Sequence, residues 1–198
     1  MMDGRGQGRA AGIASSRTVT RVRGLLLANL DALPLGAFLA LAAWLSPSTA
    51  RDWQLPYLVA TLLAVAVQAA HWRRGLRPDR IHVALACYFA SGAAGVLLGW
   101  DWLNRGYGEL EATAMLLWVV PVGLCFAILS PAGFVGVAGA PRGLVHAASA
   151  ALLVLACIAV AWSARHLGDP WPGAVLPFVL LFAARALLRA ALVRSAAA

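Results

Sequence analysis

A chain of 198 residues that is 62% hydrophobic and 12% charged has too few charges to cover a water-facing surface, since a soluble domain is about half apolar and about a quarter charged. Composition therefore excludes an ordinary soluble globule and makes the lipid bilayer the first expected partner. The formal charge of +8 comes from 16 arginines without a single lysine. These arginines flank apolar stretches rather than forming one stripe on a soluble face, which argues against a nucleic-acid partner. Absence of lysine together with abundant alanine points to a GC-rich bacterial genome.

In chain order, residues 1–20 are rich in Gly, Arg and Ser and are expected to form a disordered cytoplasmic tail near anionic headgroups. Residues 21–198 are expected to form a single six-helix membrane domain. A spanning helix needs roughly 20 mostly apolar residues, and six stretches qualify: Leu25–Leu45, Leu55–Trp72, Ile81–Trp100, Ala112–Ala132, Leu144–Ala164 and Ala174–Val193. Short connections make neighbouring spans antiparallel. Arg21 and Arg23 followed by an apolar run and Ser48-Thr49-Ala50 have the outline of a signal peptide. That run is too long and is interrupted by Asp31 and Pro34, so a retained first span is expected. In the fourth stretch Pro121 predicts a kink, and Gly133, Gly136 and Gly139 after Pro131 predict a glycine-rich turn.

The arginines fall on alternate connections. One side carries Arg5, Arg9, Arg17, Arg21, Arg23, Arg73, Arg74, Arg77, Arg80, Arg142, Arg185, Arg189 and Arg194, and the other only Arg51, Arg105 and Arg165. Because cytoplasmic loops retain Arg and Lys, this split predicts both termini in the cytoplasm, an orientation that an even number of spans allows. Trp44, Trp53, Trp100, Trp102, Trp162 and Trp171 all fall at predicted outer ends and Trp72 at an inner end. The headgroup region suits an indole, which has an apolar body and an N–H that needs a partner.

Few residues carry chemistry. Asp31 lies about six residues inside the first span, roughly 9 Å along the helix, and Arg185 at a similar depth in the sixth. Intramembrane acids face the bundle interior or a water-filled cavity, so an Asp31–Arg185 contact between the first and last helices is one expectation. The other is that Asp31 caps a helix beginning near Ala32 while Arg185 snorkels to the interface. Arg185 and Arg189 share a helix face and could meet a lipid headgroup. Ser91, Gly95 and Gly99 recur every four residues and form a candidate helix-packing face, within the bundle or between protomers. His71, His82 and His146 fall near predicted cytoplasmic ends; none pairs with another at i,i+3 or i,i+4, so solvated interfacial rings are expected and no metal site. Cys87, Cys125 and Cys157 lie in separate spans without CxxC spacing and are expected to act as small hydrophobes. Glu109 and Glu111 are expected in a solvated outer loop. No phosphate loop, Ser/His/Asp arrangement or catalytic carboxylate pair is present in the sequence, so the reading is non-enzymatic, without a cofactor.

Leu30-Asp31-Ala32-Leu33-Pro34-Leu35 resembles the L-D-x-L-P pattern that opens the intracellular septation protein A family, small bacterial inner-membrane proteins. Tyr57 and Ala60-Thr61 are similar to that family's alanine- and threonine-rich second span. Gln68, Trp72, Arg73 and Arg74 resemble its glutamine–tryptophan–arginine run into a basic loop. Ser91-Gly92 and Leu97-Leu98 resemble its glycine-containing third span. The resemblance covers about residues 28–130. The chain departs from it before the fourth span, where Gly108-Glu109-Leu110-Glu111-Ala112-Thr113 stands in place of a W-K-x-T element. What the resemblance implies is a non-enzymatic role in envelope maintenance or division through contacts with other membrane proteins. Self-association is raised separately, by the Ser91/Gly95/Gly99 face.

The expectation is thus an all-α polytopic protein of the bacterial cytoplasmic (inner) membrane, with six transmembrane helices and both termini inside. Its function is expected to be structural; the alternative is a small transporter or channel component with Asp31 as its coupling carboxylate.

Overall fold

The structure is a computed structural model, and it describes residues 30–49, 51–75 and 79–197. The amino-terminal tail, with Arg5, Arg9, Arg17, Arg21 and Arg23, and Arg77 of the second loop lie outside the described residues. The described chain is helical with irregular connections: α1 (Leu30–Leu45), α2 (Gln54–Arg73), α3 (Arg80–Leu97), α4 (Asp101–Leu110), α5 (Ala112–Leu129), α6 (Arg142–Arg165) and α7 (Leu176–Ala197), the last entered through a π-helical turn at Pro170–Val175. Among the described residues, five segments are long and apolar enough to cross a membrane: α2, α3, α5, α6 and the continuous Pro170–Ala196. α1 is apolar but shorter within the described residues. The molecule is a multi-pass, all-α membrane protein.

α3 is the central helix, packing against α2, α4 and α5. One of its faces contributes Leu85, Tyr88, Phe89 and Ala93 to a cluster with Phe38 of α1, Tyr57 of α2 and Met115 of α5. Ile81 and Ala84 enter a second cluster with Leu116, Val119, Leu152, Ala156 and Leu181 from α5, α6 and α7. Large apolar side chains on the outside, among them Leu62, Val65, Ile128, Val154, Val179 and Leu187, are exposed. Such a surface suits hydrocarbon, and with little hydrophobic drive between helices in lipid, close packing must hold the bundle together. Trp44, Trp72, Trp102 and Trp171 are also exposed, at the ends of the apolar segments.

Small residues set the closest approaches, though not along one continuous face. Gly92 lies against the Tyr57 ring, which a Cβ would overlap. Gly95 faces Asn104 and Leu103 of α4, within the same chain. Gly99 faces open space at φ +68, and closes α3 in the left-handed conformation, with the Trp100 amide reaching the Gly95 carbonyl at 2.8 Å. Of the expected Ser91/Gly95/Gly99 face, Ser91 and Gly95 meet α4 and its neighbours, while Gly99 is a turn residue.

Two connections carry more structure than their composition suggested. Residues 101–110, expected as a solvated loop, form the amphipathic helix α4. It ends at Glu111, where a positive φ of 48 sets the angle into α5, and the Glu111 carboxylate accepts from the Gly168 amide at 3.0 Å. The segment after α5 breaks at Ser130 and turns inward, so that Ala132, Phe134 and Val135 are fully buried. Phe134 fills the space beside Gly123. α5 continues through Pro121 and stops three residues short of the expected Ala132, because the Gly133 and Gly136 turn takes over.

Gly133 has φ +57 and a Cβ there would overlap Ser149 Oγ. Gly133→Ala should therefore lower stability by at least the roughly 1–2 kcal/mol cost of a left-handed L-residue, read as an earlier unfolding transition in detergent micelles. A transition unchanged from wild type would mean that the buried turn does not support the bundle.

Candidate functional site

Ionisable side chains converge where α2 ends and α3 begins, at the arginine-rich end of the bundle. Asp79 is the N-cap of α3: its Oδ1 accepts from the Ile81 amide at 3.0 Å, which satisfies one of the orphan donors of the first turn. The second carboxylate oxygen accepts from Arg185 Nη1 of α7, and His82 Nδ1, one turn along α3, lies 3.3 Å from Oδ1. Burial alone would push the Asp79 carboxyl up. The His82 contact and the Arg185 guanidinium outweigh it and hold the group well below the usual carboxylate range.

Arg80 faces the other way. Its Nη2 donates to Ser130 Oγ at 3.0 Å, and the guanidinium lies 5.1 Å from the centroid of the Phe126 ring, a cation–π arrangement. A Cβ on Gly136 would overlap Arg80 Nη1 and lie 3.6 Å from Arg185 Nη2. The bare backbone of the buried turn is therefore what admits both guanidiniums. Arg80 and Arg185 are both buried, and together with Asp79 they tie α3, α7 and the α5–α6 turn together.

A second polar group adjoins the first. Asp31 of α1 has its Oδ1 3.5 Å from His71 Nε2 of α2, and the His71 ring is buried. Gln68, one turn before His71, has a buried Oε1 without a hydrogen-bond partner. Asp31, Gln68 and His82 line a cavity of about 10 Å³, room for about one water. His82 thus touches both groups, with its ring 5.7 Å from Phe182, and Asp31 is within electrostatic reach of His82, Asp79 and Arg185.

Nearer the opposite end lies a layer of hydroxyls. Tyr57 and Tyr88 share a 2.9 Å hydrogen bond, while Tyr107 of α4 bonds Ser91 at 2.6 Å and accepts from Trp118 Nε1 at 2.8 Å. Tyr88 and Tyr107 are in ring contact at 4.9 Å. The Asn104 amide is buried beside Gly95 without a hydrogen-bond partner. Among the described residues, no three His, Cys, Asp or Glu side chains are grouped to hold a metal ion.

The expected Asp31–Arg185 contact is replaced by two others. The two side chains share one polar layer, but Asp79 takes the guanidinium and His71 faces Asp31. A guanidinium buried at this depth goes to the acceptor that is already fixed, and Asp79 is held by its cap. Asp31 does not cap a helix starting at Ala32, since the helix already includes Leu30 and Asp31. Arg185 and Arg189 do not form one headgroup site: Arg185 is buried on Asp79 and only Arg189 is exposed. Nor is His71 a solvated interfacial ring, although His146 is exposed. Sequence reasoning passed over Asp79, whose signal was available: an acidic residue directly before an apolar helix, with a histidine three positions on.

Comparison with protein-family models, with curated proteins and with solved structures gives no match.

Asp79→Ala should destabilise the protein by about 3–5 kcal/mol, because it strands the buried Arg185 charge. Adding Arg185→Met should recover part of that loss, measured by unfolding in micelles. Since the folded carboxyl is depressed, its contribution is present above the unfolded value near 4 and is lost as pH falls below it. The wild-type stability advantage over Asp79→Asn should therefore shrink on acidification below about pH 4. A gap that widens in acid would contradict the assignment.

Proposed function

We propose that the chain is a six-helix protein of the bacterial inner membrane with both termini in the cytoplasm and a non-enzymatic, structural role in the cell envelope. α1, preceded in sequence by Leu25, Leu26 and Leu27, supplies the sixth span. The arginine split sets the orientation and puts the Asp79–Arg185 layer on the cytoplasmic side. The observation that carries the structural reading is that layer: it clamps α3, α7 and the α5–α6 turn into one body and leaves Arg73, Arg74 and Arg142 exposed around it. A clamped bundle with an exposed basic rim suits a protein that offers a fixed shape to neighbours and anionic lipid. Envelope maintenance or division is the setting that the septation-family resemblance of residues 30–35 implies.

A second reading, Asp31 as the coupling carboxylate of a small transporter, is favoured by one observation: the carboxylate is inside the bundle, beside a buried histidine and a cavity.

Alkaline phosphatase fusions test the topology: activity is expected after Thr49, Gly108 and Gly168, and none after Gly75, Gly139 or Ala198. The inverse pattern would sink the orientation. For function, deletion of the gene should produce an envelope or division defect that Asp31→Asn restores and Asp79→Ala does not. A deletion strain with normal envelope and division would remove the structural role, and failure of Asp31→Asn to complement would favour coupling.

A further inference from the structure

We propose that the polar groups on the α1–α2–α3–α4 side of the bundle form a proton path closed by a single aromatic layer, with Asp31 and His71 as its proton-binding pair. This rests on the second reading above and names the transported species. On the arginine-rich side, the groups facing Asp31 are His71 and Gln68 from α2, His82 and Asp79 from α3, and Arg185 from α7. Asp31 Oδ1, Gln68 Oε1 and His71 Nδ1 are buried and lack hydrogen-bond partners. Unpartnered buried polar atoms are costly, and the carboxylate and amide oxygens are both acceptors that cannot satisfy each other. A proton on Asp31 converts the carboxylate into a donor, and a water in the cavity can pass it on to an imidazole.

Across the layer stands the Tyr57–Tyr88 hydroxyl pair, followed by Ser91, Tyr107 and the unpartnered Asn104 amide. Asn104 borders an open polar pocket with Arg51, Gln54 and Asp101 at the opposite end of the bundle. Apolar side chains lie between the two sets. Phe89 lines the cavity and packs 5.5 Å from the Tyr88 ring, and Phe38 packs 5.1 Å from both Phe89 and Tyr57. Leu85, buried with them, completes the seal. Phe89 touches both the cavity and the Tyr88 ring, so shortening it should let water join the two halves. The proton enters and leaves as a proton; no other bond forms or breaks.

The test uses the full-length protein in liposomes with a trapped pH-sensitive dye and a potassium diffusion potential. Wild type should leak slowly, Phe89→Ala several-fold faster, and Phe89→Ala/Asp31→Asn at the wild-type rate. Should Phe89→Ala not give a monodisperse helical protein, Phe38→Ala opens the same layer. A folded layer variant that leaks no faster than wild type, or a leak that Asp31→Asn leaves unchanged, overturns the path. Complementation reports separately on the coupling reading: a leak in the layer variants with full complementation by Asp31→Asn would keep the path and discard physiological coupling.

Discussion

Burying a charge inside an apolar bundle is costly unless a fixed partner waits for it, and the Asp79–Arg185 pair meets that condition for this protein. Asp79 is held in place because it caps α3, so the acceptor is preorganised for Arg185. Arg185 joins the last helix to the central one, a contact between residues more than a hundred positions apart. The inward turn after α5 depends on the same layer: its Gly136 backbone is where the Arg80 and Arg185 guanidiniums come together.

Around this layer the bundle follows the ordinary rules of packing in lipid. Helices approach where side chains are small, as at Gly92 against Tyr57 and Gly123 against Phe134, and buried hydroxyls pair with one another, as Thr113 does with Ser163 at 2.8 Å. Such pairs keep polar groups satisfied where water is scarce. Exceptions occur on the α1–α2–α3–α4 side, at Asp31, Gln68, His71 and Asn104, and also in the Asp79 layer, at His82 Nδ1 and Arg185 Nε. What separates the two groups is their pairing: Asp79 accepts from a backbone amide and from Arg185, whereas Asp31 has the His71 ring at 3.5 Å and a cavity beside it.

The two polar groups meet at His82, and Asp31 lies within electrostatic reach of Asp79 and Arg185, yet their pairing differs. The clamp at Asp79 is saturated by a backbone amide and a guanidinium, leaving little freedom. Asp31 faces the His71 imidazole across 3.5 Å, longer than a good hydrogen bond, and has a cavity beside it. A saturated pair fixes shape, whereas a loosely paired acid can change its proton.

Composition and periodicity alone determined the solvent, the helical class and the positions of five membrane-length segments, because those follow from local apolar run lengths that hydrocarbon imposes. They also marked Asp31 and Arg185 as out of place, since a charge within an apolar run is visible without any fold. Pairing was decided only in three dimensions. Which acid receives Arg185 depends on the rotation of α7 against α3 and on a cap geometry that places Asp79 within reach. The helix at 101–110 was illegible, whereas the glycine turn after Pro131 was read and only its burial was missed: both features gain stability by packing, on α3 and under Arg80, and packing leaves no local trace.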